Sequence, residues 1–288
     1  MSRSQIACVI DTSSATVVRL KSSGQSAYTM TACRTIPAGL PAFAEPKARK
    51  TAALLAGVLK EWRDEPLALS LSPEEILTLP AWFPASVTPE YIQTLCKIEA
   101  GYFLRNPDAW KWQQLRYETT PGHPPAMEKH LVLFYGATPA QFIEERLQAQ
   151  HNIVMNGLHF APLIHLSTCM PTPQLVLELE KRYIAFFVSW NGRVEYFMYW
   201  PVKNESEREY FSVRELVAYP LGRSSVVRIT GSAAGGSLLK RVAMETSCTL
   251  APLGIPESIS FTDSSGVRLA SPSFIKAIST ALMALDTV

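Results

Sequence analysis

The sequence predicts an α/β protein made of two similar lobes, and three observations support this prediction. First, apolar runs of strand type and helix type follow one another along the 288 residues. Second, both halves begin alike: an apolar strand carries one acidic residue (Asp11 or Glu178), then a short polar turn, a second strand, a hairpin and a third strand follow. Third, the length allows one large domain or two medium ones. We therefore expect two related halves that face each other across a cleft.

The first half is predicted to open with a three-stranded meander and a helix. Two β-rich runs within residues 6–20 flank a polar turn at 12–15, and a third run covers residues 27–36. Apolar residues at helical spacing predict a helix over 46–62, and a short apolar strand follows at 67–71.

Residues 75–167 are predicted to alternate between further strands and helices. Strands are expected at 75–79, 110–118, 130–136 and 154–160, and helices at 89–103, 140–151 and 162–167. Thr88 before Pro89 is typical of a helix N-cap, and we interpret Thr138 before Pro139 in the same way. The proline-rich segment 80–85 is interpreted as a break between elements.

The second half is predicted to repeat the meander after a lobe boundary at residues 171–173. Apolar runs at 175–190 and 193–200 are joined by Asn191-Gly192, the strongest hairpin signal in the chain. The later elements are a helix at 206–216, a strand at 226–230, a helix at 237–246, a loop and strand at 255–262, and a helix at 273–284.

Composition and charge argue against several classes of protein. The net charge is only +2 and no long run of Lys or Arg occurs, so nucleic-acid binding is not expected. The five cysteines form no CxxC pair and the five histidines form no HxH or HExxH pair, so no metal site is predicted. No apolar signal core and no uncharged apolar run of about 20 residues occurs, so we expect a cytoplasmic protein that does not cross a membrane.

The segment IDTSSATVVRL is the first candidate ligand site. An aspartate at the end of a strand, before a turn of small polar residues, can order Mg²⁺ through water while the turn binds phosphate. Asp11 would serve the metal, and Ser13, Ser14 and Thr16 would donate to phosphate. An ordinary polar hairpin between two core strands gives the same pattern.

The segment TGSAAGGS, residues 230–237, is the second candidate. Its glycines lie between a predicted strand and a predicted helix. There they allow a ligand to approach the backbone closely, and they keep the helix N-terminus accessible to an anion. The spacing fits neither a Rossmann nor a Walker motif. A permissive strand-to-helix loop remains the alternative.

Taken in order, these segments resemble the actin-like ATPase superfamily and, within it, the PilM proteins of type IV pilus assembly. IDTSSATVVRL is similar to the first phosphate loop, LVLELEKRYIAFFVSWNGRVEYFMYW to the second, and VVRITGSAAGGSLLKRVAMETSCTL to the adenosine loop with its helix. The resemblance covers nearly the whole chain. It implies an actin-like (ribonuclease H-like) two-lobed α/β fold: lobe I at residues 1–172 with an inserted α/β subdomain at about 80–160, and lobe II at 173–288 with a reduced helical subdomain.

The departures from the family pattern concern the nucleotide site. Ser13 stands where the family has glycine, Val18 where it has a basic residue, and Glu178 and Glu180 where the second loop should carry Asp and Gly. Two like charges about 4 Å apart in an effective dielectric of about 20 cost about 4 kcal/mol, so these glutamates oppose a phosphate. The residues that the resemblance assigns to nucleotide binding, vestigial in this interpretation, are Asp11, Ser13, Ser14, Thr16, Glu178, Gly231, Ser232, Gly235 and Gly236.

The resemblance leads to two functional hypotheses. The first is a scaffold without ATP hydrolysis or cofactor, peripheral at the inner face of the inner membrane, that binds the cytoplasmic segment of a membrane protein of a pilus or secretion assembly; oligomerisation is left open. The expected partner-binding residues are Tyr91, Leu95, Tyr102, Leu131 and Leu133. The alternative is an ATP-binding protein with weak ATPase or kinase-type activity that uses Mg-ATP.

Overall fold

The predicted alternation of strands and helices is present in the computed structural model, which describes residues 3–24, 27–44, 47–118, 127–220, 225–261 and 271–287. The strands are β1 (Ser4–Ile10), β2 (Ala15–Gly24), β3 (Ala27–Ile36), β4 (Leu67–Leu71), β5 (Ile76–Pro84), β6 (Trp110–Arg116), β7 (Met127–Gly136), β8 (Ile153–Leu158), β9 (Gln174–Leu179), β10 (Tyr183–Trp190), β11 (Arg193–Pro201), β12 (Val226–Thr230), β13 (Thr249–Pro252) and β14 (Ile259–Phe261). The helices are α1 (Ala48–Leu59), α2 (Pro89–Phe103), α3 (Ala137–Gln148), α4 (Phe160–His165), α5 (Glu205–Ala218), α6 (Gly236–Thr246) and α7 (Pro272–Thr287). The predicted helix start at residue 46 and strand end at residue 262 lie outside the described residues.

The two halves of the chain build sheets of the same topology. The first sheet has the order β14-β3-β2-β1-β4-β8 and the second β11-β10-β9-β12-β13. In each, an antiparallel meander of three strands is followed by two strands parallel to the first strand. The shared order of five strands confirms the predicted two-lobed α/β architecture and shows that it arises from an internal repeat.

Both halves close their first hairpin with a four-residue turn. In the first turn (residues 11–14) and in the second turn (residues 180–183), the amide of the first residue donates to the carbonyl oxygen of the last at 2.9 Å. Asp11 is therefore the structural counterpart of Glu180. The sequence comparison paired Asp11 with Glu178, which is wrong by two residues because Glu178 lies inside β9.

A third sheet, with the order β5-β7-β6, forms the subdomain inserted into the first lobe. Helix α2 packs on one face of this sheet, where Phe83, Ile92, Cys96 and Phe134 form a separate buried cluster. The subdomain spans β5 to β7, because β8 pairs with β4 of the first sheet. The predicted bounds of 80–160 therefore begin too late and end too late.

Two local predictions at the subdomain were wrong. The segment 80–85 is not a break, since β5 continues to Pro84. Proline is tolerated there because β5 is an edge strand, whose outer side needs no ladder donor. Helix α3 begins at Ala137 after Gly136, with no side-chain cap, so Thr138 is not its N-cap. Thr88 does cap α2, and its hydroxyl accepts from the amide of Tyr91 at 3.4 Å.

The end of the chain returns to the first lobe. Strand β14 pairs with β3, and α7 covers one face of the first sheet, where Phe274, Ala277 and Ile278 pack in a buried cluster with Ala7 and Val9. Residues 173–288 are therefore not one lobe: the second lobe ends after β13. The helices α4 and α7 contact each other where the chain passes between the lobes. Within the described ranges, no helix is long and apolar enough to span a bilayer.

Candidate functional site between the lobes

The first turn is closed on its own aspartate. The Oδ1 atom of Asp11 accepts the amide of Ser13 at 2.7 Å and the amide of Ser14 at 2.6 Å. The hydroxyls of these serines also donate to the carboxylate, each at 3.1 Å, and Ser273 of α7 donates its hydroxyl to Oδ2. The amides that the sequence assigns to phosphate therefore already have an anionic partner within the protein.

This arrangement keeps Asp11 ionised. Burial alone would raise the pKa of Asp11, but the hydrogen bonds from Ser273, Ser13 and Ser14 and the charge of Lys276 outweigh burial and lower this pKa. A carboxylate that accepts several hydrogen bonds is stabilised in its charged form. The first turn thus carries a fixed negative charge at neutral pH.

Gly39 packs directly against the backbone of the first turn. A Cβ at this position would lie 2.2 Å from the carbonyl carbon of Thr12 and 2.3 Å from the amide nitrogen of Ser13. The amide of the next residue, Leu40, donates to the carbonyl oxygen of Asp11 at 2.7 Å. Only glycine fits this close backbone contact, so segment 39–40 holds the turn in one position.

Glu178 is fully buried and has three partners. Its Oε2 atom lies 2.8 Å from Nε2 of His159, and its Oε1 atom accepts the hydroxyl of Tyr183 at 3.2 Å. The ammonium of Lys276 on α7 forms an ion pair with the same Oε1 atom. The side chain therefore lies within a charged network rather than open to a ligand.

Glu180, at the start of the second turn, completes this network. Its Oε1 atom lies 3.0 Å from Nζ of Lys276. Its Oε2 atom accepts the amide of Ser232 at 3.2 Å and also the hydroxyl of Ser232. Lys276 thus bridges two carboxylates of the second lobe from a helix packed on the first.

The charges in this network stabilise one another. Burial alone would raise the pKa of Glu178, but the charges and hydrogen bonds of His159 and Lys276 lower it to about 2. Burial alone would lower the pKa of Lys276, yet the attraction of Glu178 and Glu180 raises it. Both side chains are therefore charged at neutral pH although neither is accessible to solvent.

Gly231 holds the second turn as Gly39 holds the first. Its φ is +105°, and a Cβ there would lie 2.1 Å from the carbonyl oxygen of Leu179. The amide of Ala233 donates to that oxygen at 2.9 Å. The loop predicted to contact adenosine is thus packed directly against the end of β9.

A cavity remains beside this loop. Its volume is about 550 Å³, and it is lined by Thr230, Gly231, Ser232, Leu253, Pro272 and Ile275 among others. The hydroxyl of Thr230 is buried and, within the part of the chain that the structure describes, has no hydrogen-bond partner. The cavity is therefore large enough for a small ligand, but the Thr230 hydroxyl is buried beside it rather than open to it.

The structure brings together most of the predicted nucleotide-site residues. Asp11, Ser13 and Ser14 form the first turn, and Glu178, Gly231 and Ser232 lie around the second. Thr16 is separate, because its hydroxyl lies 3.3 Å from that of Thr35 on the adjacent strand β3. Gly235 and Gly236 are exposed at the start of α6.

Sequence reasoning missed Lys276, His159 and Ser273. His159 was not selected from the sequence as a site residue, and it is fully buried. A signal for Lys276 was present: it is a single lysine within the apolar helix FIKAISTALMAL. A lone charge in such a helix is buried only when it is paired.

The predicted partner-binding residues divide into two groups. Tyr91 and Tyr102 on α2 are exposed, at 54% and 80%, whereas Leu131 and Leu133 on β7 are buried in the core and cannot contact a partner in this conformation. Leu95 is partly buried against the subdomain core. Ile98, which the sequence interpretation did not select, is 49% exposed. Residues 91, 95, 98 and 102 follow helical spacing, and we call them the α2 face.

The chain resembles known proteins in structure rather than in sequence. No protein-family model and no curated protein matches the chain. Among solved structures, one of a PilM-PilN type IV pilus biogenesis complex superposes with a TM-score of 0.77 at 14% identity, over 98% of each chain. The chain has the actin-like ATPase fold. That fold, with an inserted subdomain, was the sequence prediction.

Two further solved structures align over nearly the whole chain. A Bacteroides thetaiotaomicron protein described as having an actin-like ATPase fold and unknown function gives a TM-score of 0.56 at 9% identity, over 96% of each chain. The cytoplasmic domain of EpsL, an inner membrane component of the type II secretion system of Vibrio cholerae, gives 0.52 at 8% identity, over 97% of this chain and 95% of that one. Within the described residues, no group of three or more His, Cys, Asp and Glu side chains could hold a metal ion.

Proposed function

We propose that this protein is a scaffold that does not hydrolyse ATP. The observation that carries the proposal is the ion pair of Lys276 with Glu178 and Glu180, which places the protein's own charges between the lobes. The two turns of this chain are the segments whose sequences resemble the phosphate loops of actin-like ATPases. Here the first turn binds its own aspartate and the second binds a lysine.

A triphosphate does not fit the residues of these turns. To reach the amides of Ser13 and Ser14, a phosphate would have to displace the carboxylate of Asp11. It would then lie beside the carboxylate of Asp11, and a like-charge pair at about 4 Å costs about 4 kcal/mol at an effective dielectric of about 20. The two turns therefore do not provide a triphosphate site.

The structural neighbours support a proposal for the class of partner. One is a PilM-PilN complex of pilus biogenesis, and another is the cytoplasmic domain of an inner membrane component of a secretion system. We propose that this chain, too, works in the cytoplasm at the inner membrane and binds the cytoplasmic segment of an assembly protein. The α2 face offers an apolar surface for it, since Tyr91, Ile98 and Tyr102 are exposed on one side of the helix.

Co-purification from native membranes tests this function. The wild-type chain is expected to retain a membrane protein that is lost when Tyr91→Ser and Tyr102→Ser are combined. Tyr210→Ser on α5 is the matched control, because Tyr210 is 61% exposed but lies on the second lobe. Retention of the membrane protein by the double variant would move the binding surface away from the α2 face, and no retained membrane protein at all would contradict the scaffold proposal.

An ATP-binding function is the second candidate, and one observation favours it. A cavity of about 550 Å³ beside Gly231 is available to a ligand. Titration of Mg-ATP with thermal unfolding as the readout separates the two candidates. A clear stabilisation that disappears in Asp11→Ala would favour ATP binding, whereas the scaffold proposal expects no shift in either chain.

A further inference from the structure

The two helices at the crossing between the lobes each direct one basic residue to the same carboxylate. His159 immediately precedes α4, and Lys276 lies within α7. Both contact Glu178, and Lys276 also contacts Glu180. The two basic residues belong to elements packed on the first lobe, and the two acidic residues belong to the first hairpin of the second lobe.

The hydrogen bonds of His159 determine its charge. Its Nε2 atom lies 2.8 Å from the carboxylate of Glu178, and its Nδ1 atom lies 3.2 Å from the carbonyl oxygen of Leu71. A carbonyl oxygen and an ionised carboxylate only accept hydrogen bonds, so both ring nitrogens must donate. A histidine that donates from both nitrogens is a protonated imidazolium.

With an imidazolium at His159 the cluster is electrically balanced. Glu178 and Glu180 contribute two negative charges, and His159 and Lys276 contribute two positive charges. His159, Glu178 and Lys276 are all at most 1% exposed. Because an unpaired charge is costly in such a place, the four groups stabilise the structure only when they meet, and they meet only when the lobes are together.

We propose that His159, Glu178, Glu180 and Lys276, which we call the interlobe clasp, hold the two lobes closed without a nucleotide or a metal ion. In this role the ammonium of Lys276 and the imidazolium of His159 supply the positive charge that draws the second turn toward the first lobe. Closure is then a built-in state of the chain rather than a response to a ligand. This inference does not depend on the partner of the α2 face.

Other charged and titratable groups also face the cluster. The carboxylate of Asp11 acts on the charge of Lys276, and the phenols of Tyr183 and Tyr199 remain neutral because burial raises the pKa of both.

Nitrogen NMR of the ring of His159 tests the charge directly. The signal, assigned by its loss in His159→Gln, is expected to show two protonated nitrogens at pH 7 in the full chain without ligand. A singly protonated ring at that pH would overturn the charge balance. The other histidines serve as internal references. If His159 had only a packing role, its ring nitrogen signals would not differ from theirs.

Small-angle X-ray scattering with thermal unfolding tests closure. Lys276→Met leaves the cluster with one excess negative charge and is expected to lower the Tm and increase the radius of gyration. Lys240→Met, at an exposed lysine of α6, is the control and is expected to match the wild type.

A second variant keeps the proposal testable if Lys276→Met does not fold. Lys276→Met combined with Glu180→Gln leaves His159 paired with Glu178 and restores neutrality. This double variant is expected to fold, to melt above Lys276→Met where that variant folds, and to have a larger radius of gyration than the wild type. Wild-type scattering from the folded double variant would show that Lys276 does not set closure. A double variant that does not fold, or that melts no higher than Lys276→Met, would refute charge balance as its basis.

Discussion

Nζ of Lys276 lies 3.0 Å from Oε1 of Glu180, although 96 residues separate them in the sequence. The lysine belongs to a helix of the first lobe and the glutamate to a turn of the second. Their contact joins the lobes at the place where the family resemblance expects phosphate.

Acid is expected to destabilise the protein through Glu178. Its pKa is about 2 in the folded protein, against 4.5 for an unperturbed glutamate. A lowered folded-state pKa gives stability above the unfolded value that is lost as pH falls from about 5 toward 2, here about 3 kcal/mol. Urea denaturation at a series of pH values measures this loss.

The control for the acid experiment is the same titration in Glu178→Gln and in the exposed Glu257→Gln. Glu178→Gln should show a smaller dependence of unfolding free energy on pH, whereas Glu257→Gln should follow the wild type. An unchanged slope in Glu178→Gln would assign the acid sensitivity to other carboxylates.

Gly231→Ala is expected to destabilise the chain by more than about 1 kcal/mol, because φ is +105° and the new Cβ would clash with Leu179. Gly57→Ala is the matched control. It lies in α1 with nothing within 4 Å of the new Cβ, and it should be neutral or stabilising by up to about 1 kcal/mol. Guanidinium denaturation of both variants gives the comparison, and equal effects would contradict the close contact at Gly231.

Asp11→Asn is expected to lower the unfolding free energy by about 1–3 kcal/mol, since the amide side chain replaces an ionised acceptor of several hydrogen bonds. Asp108→Asn, at an exposed aspartate, should change stability by less than about 0.5 kcal/mol. Equal stability of Asp11→Asn and wild type, measured by chemical denaturation, would mean that the first turn does not rely on its carboxylate.

Tyr183→Phe removes the hydroxyl that donates to Glu178 at 3.2 Å. The loss of a buried hydrogen bond to a charged group is expected to cost about 1.5–3 kcal/mol. Tyr210→Phe, at an exposed tyrosine, provides the control for the same chemical change. Thermal or chemical unfolding of the two variants should differ clearly, and matching curves would exclude a contribution from this hydroxyl.

Much of the fold could be predicted from the sequence because its signals are local. Asn191 and Gly192 have φ values of 49° and 73°, the conformation that an Asn-Gly hairpin turn requires. Thr88 caps α2, and the end of β12 at Thr230 agrees with the predicted strand. These features depend on residues within a few positions of each other.

The clasp could not be predicted because its members are far apart in sequence. The apolar pattern places β9 and α7 correctly, but no local pattern indicates that Lys276 contacts Glu178. The return of α7 to the first lobe likewise depends on a sheet face that residues 7–9 leave uncovered. Pairing Asp11 with Glu180 likewise required the strand register of the two hairpins, which no local sequence pattern indicates.

The late position of α7 has a consequence for synthesis of the chain. The apolar face of the first sheet, formed by the earliest strands, stays uncovered until Phe274, Ala277 and Ile278 leave the ribosome. The lysine that neutralises the second hairpin emerges in the same helix. A nascent chain that stops before residue 271 therefore has an exposed apolar sheet and unneutralised glutamates at once, so the first lobe cannot complete its folding before the second lobe and α7 have been synthesised.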